Sequence, residues 1–133
     1  MRVNYDDLDY SDDQLVCQYQ GKPFTGVAYE TDAQGRLISE VPHQNGFRHG
    51  VVREWFPSGQ LQSEVAYQRG GAHGVSKSWY ENGRMESETV YELGIQTRKR
   101  EWDREGKLTS ESELKENDPM FSILQLRRRG SAG

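Results

Sequence analysis

A single cysteine, Cys17, stands in the whole chain, so no intrachain disulfide and no cysteine-based zinc site can form. No apolar run approaches the roughly 18 residues that a membrane-spanning helix needs. The N-terminal MRVNYDDLDYSDD is acidic, where a secretion signal would be basic and then apolar. The sequence therefore reads as cytoplasmic. Leu, Ile, Val and Phe supply only 25 of the 133 residues, a scarcity close to that of disordered chains. Disorder is opposed by a net charge of only −4 and by three Trp, seven Tyr and four Phe, which offer large buriable areas. A thin, aromatic-rich core fits this composition better than a thick aliphatic one. The negative charge disfavours nucleic acid as a ligand and favours basic partners.

What the chain has is repetition. Gly46–Gly70 reads GFRHGVVREWFPSGQLQSEVAYQRG, and Gly70–Gly94 reads GGAHGVSKSWYENGRMESETVYELG. Gly26, Gly50 and Gly74 recur every 24 residues, and Thr97 stands one residue early in a fourth copy. Gly35, Gly59, Gly83 and Gly106 follow 9 residues behind each, and then come Ser39-Glu40, Ser63-Glu64, Ser87-Glu88 and Ser110-Glu111. Trp55, Trp79 and Trp102 share one position, which Thr31 fills in the first copy.

Each copy reads as a β-hairpin. VVREWF and QLQSEVAY are strand-length, and PSG between them suits a three-residue turn with glycine in the left-handed region. Glycines this frequent exclude helix inside the repeat. Alternation places Val51, Arg53, Trp55, Leu61, Ser63, Val65 and Tyr67 on one face. In the next copy that face holds Val75, Lys77, Trp79, Met85, Ser87, Thr89 and Tyr91, while Glu54, Glu64, Glu88, Glu101 and Glu111 take the other. The turn predicts Trp55 opposite Leu61 and Val51 opposite Val65.

The expected fold is all-β: a sequential antiparallel hairpin meander of about nine strands, closed by a short C-terminal helix. The expected divisions are an N-terminal half-copy over 13–20, repeats over 21–45, 46–69, 70–93 and 94–114, a capping helix over 118–129 and a disordered tail over 130–133. Asp118 suits an N-cap and Pro119 the first helical position.

The unit G-x-x-H-G-x-x-x-x-W-x-x-x-G-x-[LM]-x-S-E-x-x-Y-x-x-G resembles the MORN repeat. It is nearer still to the bacterial MORN-variant repeats of the YwqK-type antitoxin family. The resemblance covers about residues 21–114 and weakens in the first and fourth copies. It implies an antitoxin or immunity protein that neutralises a toxin by binding it, or else a MORN scaffold for protein or membrane-lipid contacts. The family brings no catalytic residues and no cofactor to transfer.

The three histidines, His43, His49 and His73, suit turn positions better than a metal site, since His49 and His73 fall two strands, or about 10 Å, apart. Glu40, Glu54, Glu64, Glu88, Glu101 and Glu111 form acidic columns, which read as a solvated face or as a surface for a basic protein partner. Paired carboxylates can cleave glycosides, but a repeating column does not set an acid apart from a base. Trp55, Trp79 and Trp102, flanked by Arg53, Lys77 and Arg100, form the alternative partner face. Their plainer reading is a one-layer core covered by cations stacked on indoles.

Overall fold

A computed structural model describes residues 1–132, with side chains described through Gly130. In chain order the elements are β1 (Arg2–Asn4), a single 3-10 turn (Tyr5–Asp7), β2 (Asp9–Tyr10), β3 (Cys17–Tyr19), β4 (Lys22–Pro23), β5 (Gly26–Thr31) and β6 (Leu37–Gln44). There follow β7 (Phe47–Arg48), β8 (Gly50–Trp55), β9 (Leu61–Gln68), β10 (Gly71–Ala72), β11 (Gly74–Trp79), β12 (Met85–Glu92), β13 (Ile95–Trp102), β14 (Leu108–Glu113) and α1 (Pro119–Ala132).

The large sheet runs β1-β5-β6-β8-β9-β11-β12-β13-β14, so sequential hairpins build it as the repeats predict. The hairpin turns close by N–H donation from Asp32, Phe56, Tyr80 and Asp103 to carbonyls four residues on, each at 2.9 Å. Gly35, Gly59, Gly83 and Gly106 sit there at φ between 81° and 91°, a region costly for any residue with a Cβ. The copies are joined by tighter two-residue turns. Asn45-Gly46, Arg69-Gly70 and Leu93-Gly94 each have positive φ at both residues, the twist that suits adjoining strands. The fourth copy, one residue short, runs on from its turn as the unbroken strand β13, where the second and third divide that stretch into β7 and β8, and into β10 and β11.

A bulge beside each hairpin turn changes the expected faces. Register slips between Glu30 and Thr31, Glu54 and Trp55, Ser78 and Trp79, and Glu101 and Trp102. Trp55 opposes Leu61 as expected, but Val52, not Val51, opposes Val65. An extra residue in the second strand flips everything beyond it to the other side. Ser63, Val65 and Tyr67 therefore lie on the face of the sheet away from Trp55 and Arg53. Glu64 joins Arg53 on one face, and Glu54 joins Ser63 on the other.

The N-terminus departs further from expectation. Residues 13–20 do not extend the meander as a half-copy. The chain turns at Gln14, whose φ is 64°, and β2, β3 and β4 form a separate three-stranded sheet. The place beside β5 goes to β1, which pairs in parallel with Arg2 opposite Val27. Burial explains the choice. Cys17 and Phe24 from this layer, with Val3, cover Ala28, Val41 and Val52 and make the one sizeable apolar core among the described residues. Gly46 fits the junction tightly: a Cβ there would stand 2.3 Å from Val16 Cγ1 and 2.9 Å from the Cys17 carbonyl.

At the other end Asp118 Oδ1 accepts from the N–H of Met120 at 2.9 Å and starts α1. The helix runs to Ala132, beyond the expected end at 129 and into the stretch expected as a tail; Gly133 lies outside the described residues. Leu124 is buried, Arg127 Nη1 donates to the Leu93 carbonyl at 2.8 Å, and Arg128 grips Glu92 through two bonds of 2.6 and 2.8 Å. The helix is thereby fastened to the β12–β13 turn.

Candidate functional site

Registers carried strand to strand give a charge ladder. On one face Tyr29 opposes Glu40, Glu40 opposes Arg53, Arg53 opposes Glu64, and Glu64 opposes Lys77. The row continues through Glu88 and Arg100 to Glu111. Opposite charges thus alternate from β6 to β14. Directly opposed side chains in a sheet have Cβ atoms about 5 Å apart, and each such pair contributes roughly 0.2–1 kcal/mol. Arg53 Nε lies 3.5 Å from Glu64, and Arg100 Nε donates to Glu111 at 3.2 Å, with Arg98 also 3.5 Å from Glu111. At the first edge Arg2 binds Glu40, its guanidinium 4.9 Å over the Tyr29 ring.

This arrangement alters the expected acidic columns. Glu40, Glu64, Glu88 and Glu111 share the ladder face, but they alternate with cations. Glu54 and Glu101 lie on the opposite face, beside serines and Lys99. Among the described residues no side-chain contact stacks Arg53, Lys77 or Arg100 on an indole; the cation–π contacts there are to tyrosines, Arg2–Tyr29, Arg48–Tyr67 and Arg104–Tyr80. The physical reason is proximity. A carboxylate directly across the strand is nearer than a ring two residues along, and charge-assisted bonds are the stronger.

A second row runs beside the ladder: Leu37, Trp55 with Leu61, Trp79 with Met85, and Trp102 with Leu108. All three indoles are half-buried, whereas Leu108 is 45% exposed. Arg36, Leu37, Trp55, Pro57 and Ser58 border an open recess there. On the ladder's far side Val51, Ala66, Val75 and Val90 form another apolar strip, with Val75 48% exposed. The open face is therefore a charged row between two apolar ones. It can hold an extended surface, and sequence alternation alone could not assemble it because the bulges were not visible.

The histidines divide by role. His73 Nδ1 accepts from the Leu93 N–H at 3.0 Å, and Thr25 Oγ1, at the same place in the first copy, accepts from Asn45 at 2.9 Å. These are turn-fastening contacts. His43 is buried, its ring 5.5 Å from Phe24, and Nδ1–H donates to the Val41 carbonyl at 3.0 Å. Among the described residues no three His, Cys, Asp or Glu converge as metal ligands. Burial likewise pushes the Cys17 thiol up, away from the reactive thiolate.

Burial holds His43 below its ordinary value, and Arg48 adds to the effect, while the Val41 bond opposes it. The unfolded state then takes up a proton first. Stability should be fully present above about pH 6.5 and should fall as pH drops through the lower folded value. Urea denaturation of wild type and His43→Gln at pH 8 and pH 5 checks this. The variant should lose less stability on acidification; an equal loss would assign the effect elsewhere.

The comparisons with known proteins bear on the same repeats. A family model described as "MORN repeat variant" matches residues 48–69 and 72–92, the two best-formed copies. The chain is 51% identical over 131 residues to the immunity protein YwqK of Bacillus subtilis (strain 168), covering 95% of this chain and 85% of that protein. The chain belongs to the YwqK family. The resemblance drawn from the repeat consensus thus holds well beyond the repeats, across the N-terminal layer and the C-terminal helix. In this YwqK-family protein the ladder residues come from all four copies, so the open face spans the whole array.

Proposed function

We propose that this chain is a non-enzymatic immunity protein of the cytoplasm that binds a cognate bacterial toxin and neutralises it by occluding it. The observation that carries the reading is the 51% identity, over nearly the full chain, to a protein named as an immunity protein. The open face supports it. Its half-buried Trp55, Trp79 and Trp102 and its Arg53 and Arg100 are of the residue types that dominate binding energy at protein interfaces, and Lys77 continues the cation row between them. The surface is broad and shallow, as an occluding contact requires. Glu40, Glu64, Glu88 and Glu111 belong to this patch; Glu54 and Glu101 would contribute from the other face only to a partner that wraps the sheet. With a net charge of −4, the chain would attract a basic partner and speed its approach.

A repeat scaffold for proteins or membrane lipids is the second reading, favoured by the match to the variant MORN repeats themselves. Co-expression separates the two. The product of the reading frame beside this one, produced alone, should arrest growth, and production of this chain should restore it through a stable complex. Growth that stays arrested despite a soluble, folded chain would overturn the immunity reading.

A further inference from the structure

The sheet is built by one rule, and the rule stops at an unoccupied edge. At each junction between copies, the second strand of one hairpin offers Ser-Glu to the first strand of the next. Glu40 meets Arg53, Glu64 meets Lys77 and Glu88 meets Arg100, while Ser39 meets Glu54, Ser63 meets Ser78 and Ser87 meets Glu101. β14 carries the fourth such pair, Ser110-Glu111, and among the described residues its only partner in the sheet is β13.

The backbone on that side is free to pair. Leu114 N–H donates inward to the Thr97 carbonyl at 2.8 Å, so by antiparallel alternation Ser112 and Ser110 also face β13. The N–H and C=O groups of Glu111 and Glu113 then point outward. All six residues of β14 are exposed; α1 is anchored at Glu92 and Leu93 on the β12–β13 turn and comes beside the strand at its far end, where Phe121, Leu124 and Arg128 border a recess with Glu113 and Leu114. The opposite edge differs, because the strand there is the three-residue β1, paired in parallel with β5. An open strand of this length is a template for another chain.

We propose that β14 is a docking edge that accepts an antiparallel strand of a protein partner, with a Lys or Arg of that strand set opposite Glu111. The partner's main chain supplies the affinity through ladder hydrogen bonds, and the repeat's own register supplies the selectivity. The junctions inside the protein show what fits. A cation belongs opposite Glu111, and an aromatic residue two positions on would extend the row of Trp102 and Leu108. A second copy of this chain fits poorly, since β14 against β14 would bring Glu111 and Glu113 towards their own equivalents. The inference rests on the reading that this chain binds a protein, not on that protein being a toxin.

The probe is a peptide with the sequence of residues 50–56, GVVREWF, which inside the protein fills the equivalent place beside β6. Titrated into the full-length protein, it should bind saturably and slow amide exchange at Glu111 and Glu113. A peptide with Glu in place of its Arg should bind at least about tenfold more weakly, and the Glu111→Lys protein should reverse that preference. Glu113→Pro removes one outward N–H while leaving Glu111 in place, and edge strands tolerate proline, so this variant should stay folded and lose the peptide. Exchange changes on the open face in place of β14, equal binding of both peptides, or dimerisation of the chain through β14 would each overturn the proposal. Because no toxin enters the assay, its outcome is independent of the co-expression test.

Discussion

Replacing Phe24 with alanine is expected to cost about 3–5 kcal/mol of stability, the range for truncating a well-buried aromatic ring. Phe24 is 1% exposed and lies where the N-terminal layer meets the sheet. Its ring sits 6.2 Å from Tyr19, edge-on, and 5.5 Å from His43. Its backbone is fixed as well: its N–H donates to the Cys17 carbonyl and its carbonyl accepts from Gly46, at 2.9 and 2.8 Å. The backbone cannot follow a smaller side chain inward without breaking those bonds, so a cavity should persist. In a repeat array, each unit touches mainly its neighbours, and damage should stay local. Amide exchange should therefore accelerate most over residues 9–48 and least over β12 to β14. A melting temperature lowered by about 10 °C or more would accompany it. Uniform loss of protection along the sheet would show that the copies unfold as one unit. A variant as stable as wild type would show that the core lies elsewhere.

The hairpins, their glycine turns and the helix start were legible because each depends on residues close in sequence. Gly59 and Gly83 stand where a left-handed backbone is obligatory, and Asp118-Pro119 marks a helix start by local bonding alone. The faces were not legible in full. Gln62, Glu86 and Thr109 carry no mark of the bulges they enter, yet one extra residue on the second strand transfers Glu64 to the side of Arg53. The six glutamates that looked like one acidic surface were thereby divided between two. The N-terminal layer was hidden for a different reason. Cys17 and Tyr19 match the spacing of a repeat strand, and only the need to bury Ala28, Val41 and Val52 selects folding over the sheet instead of alongside it. That is a tertiary choice, made by contacts distant in sequence.

The open face, if it grips the partner, should separate binding from folding. Trp55 and Trp79 are half-buried, and each opposes one apolar residue, Leu61 or Met85, on an otherwise uncovered surface. Truncation of both to alanine should lower the melting temperature by less than Phe24→Ala does, since part of each ring is already in water. Binding to the co-expressed partner should fall far more. Central aromatic anchors at interfaces are worth about 2–4 kcal/mol each, or roughly thirty-fold to a thousand-fold in affinity. The ladder gives the companion test. Glu64→Lys would set a lysine between Arg53 and Lys77, so it should cost some stability, about 0.2–1 kcal/mol, as well as slowing association. Glu54→Lys and Glu101→Lys, on the opposite face, should leave a partner confined to the open face bound as before. Calorimetry on the purified complexes, with thermal melts of each free variant, would resolve the two effects. If Glu54 and Glu101 variants lose the partner while the doubly truncated tryptophan variant holds it, the serine-lined face is the binding surface and the ladder serves only to hold the sheet in register.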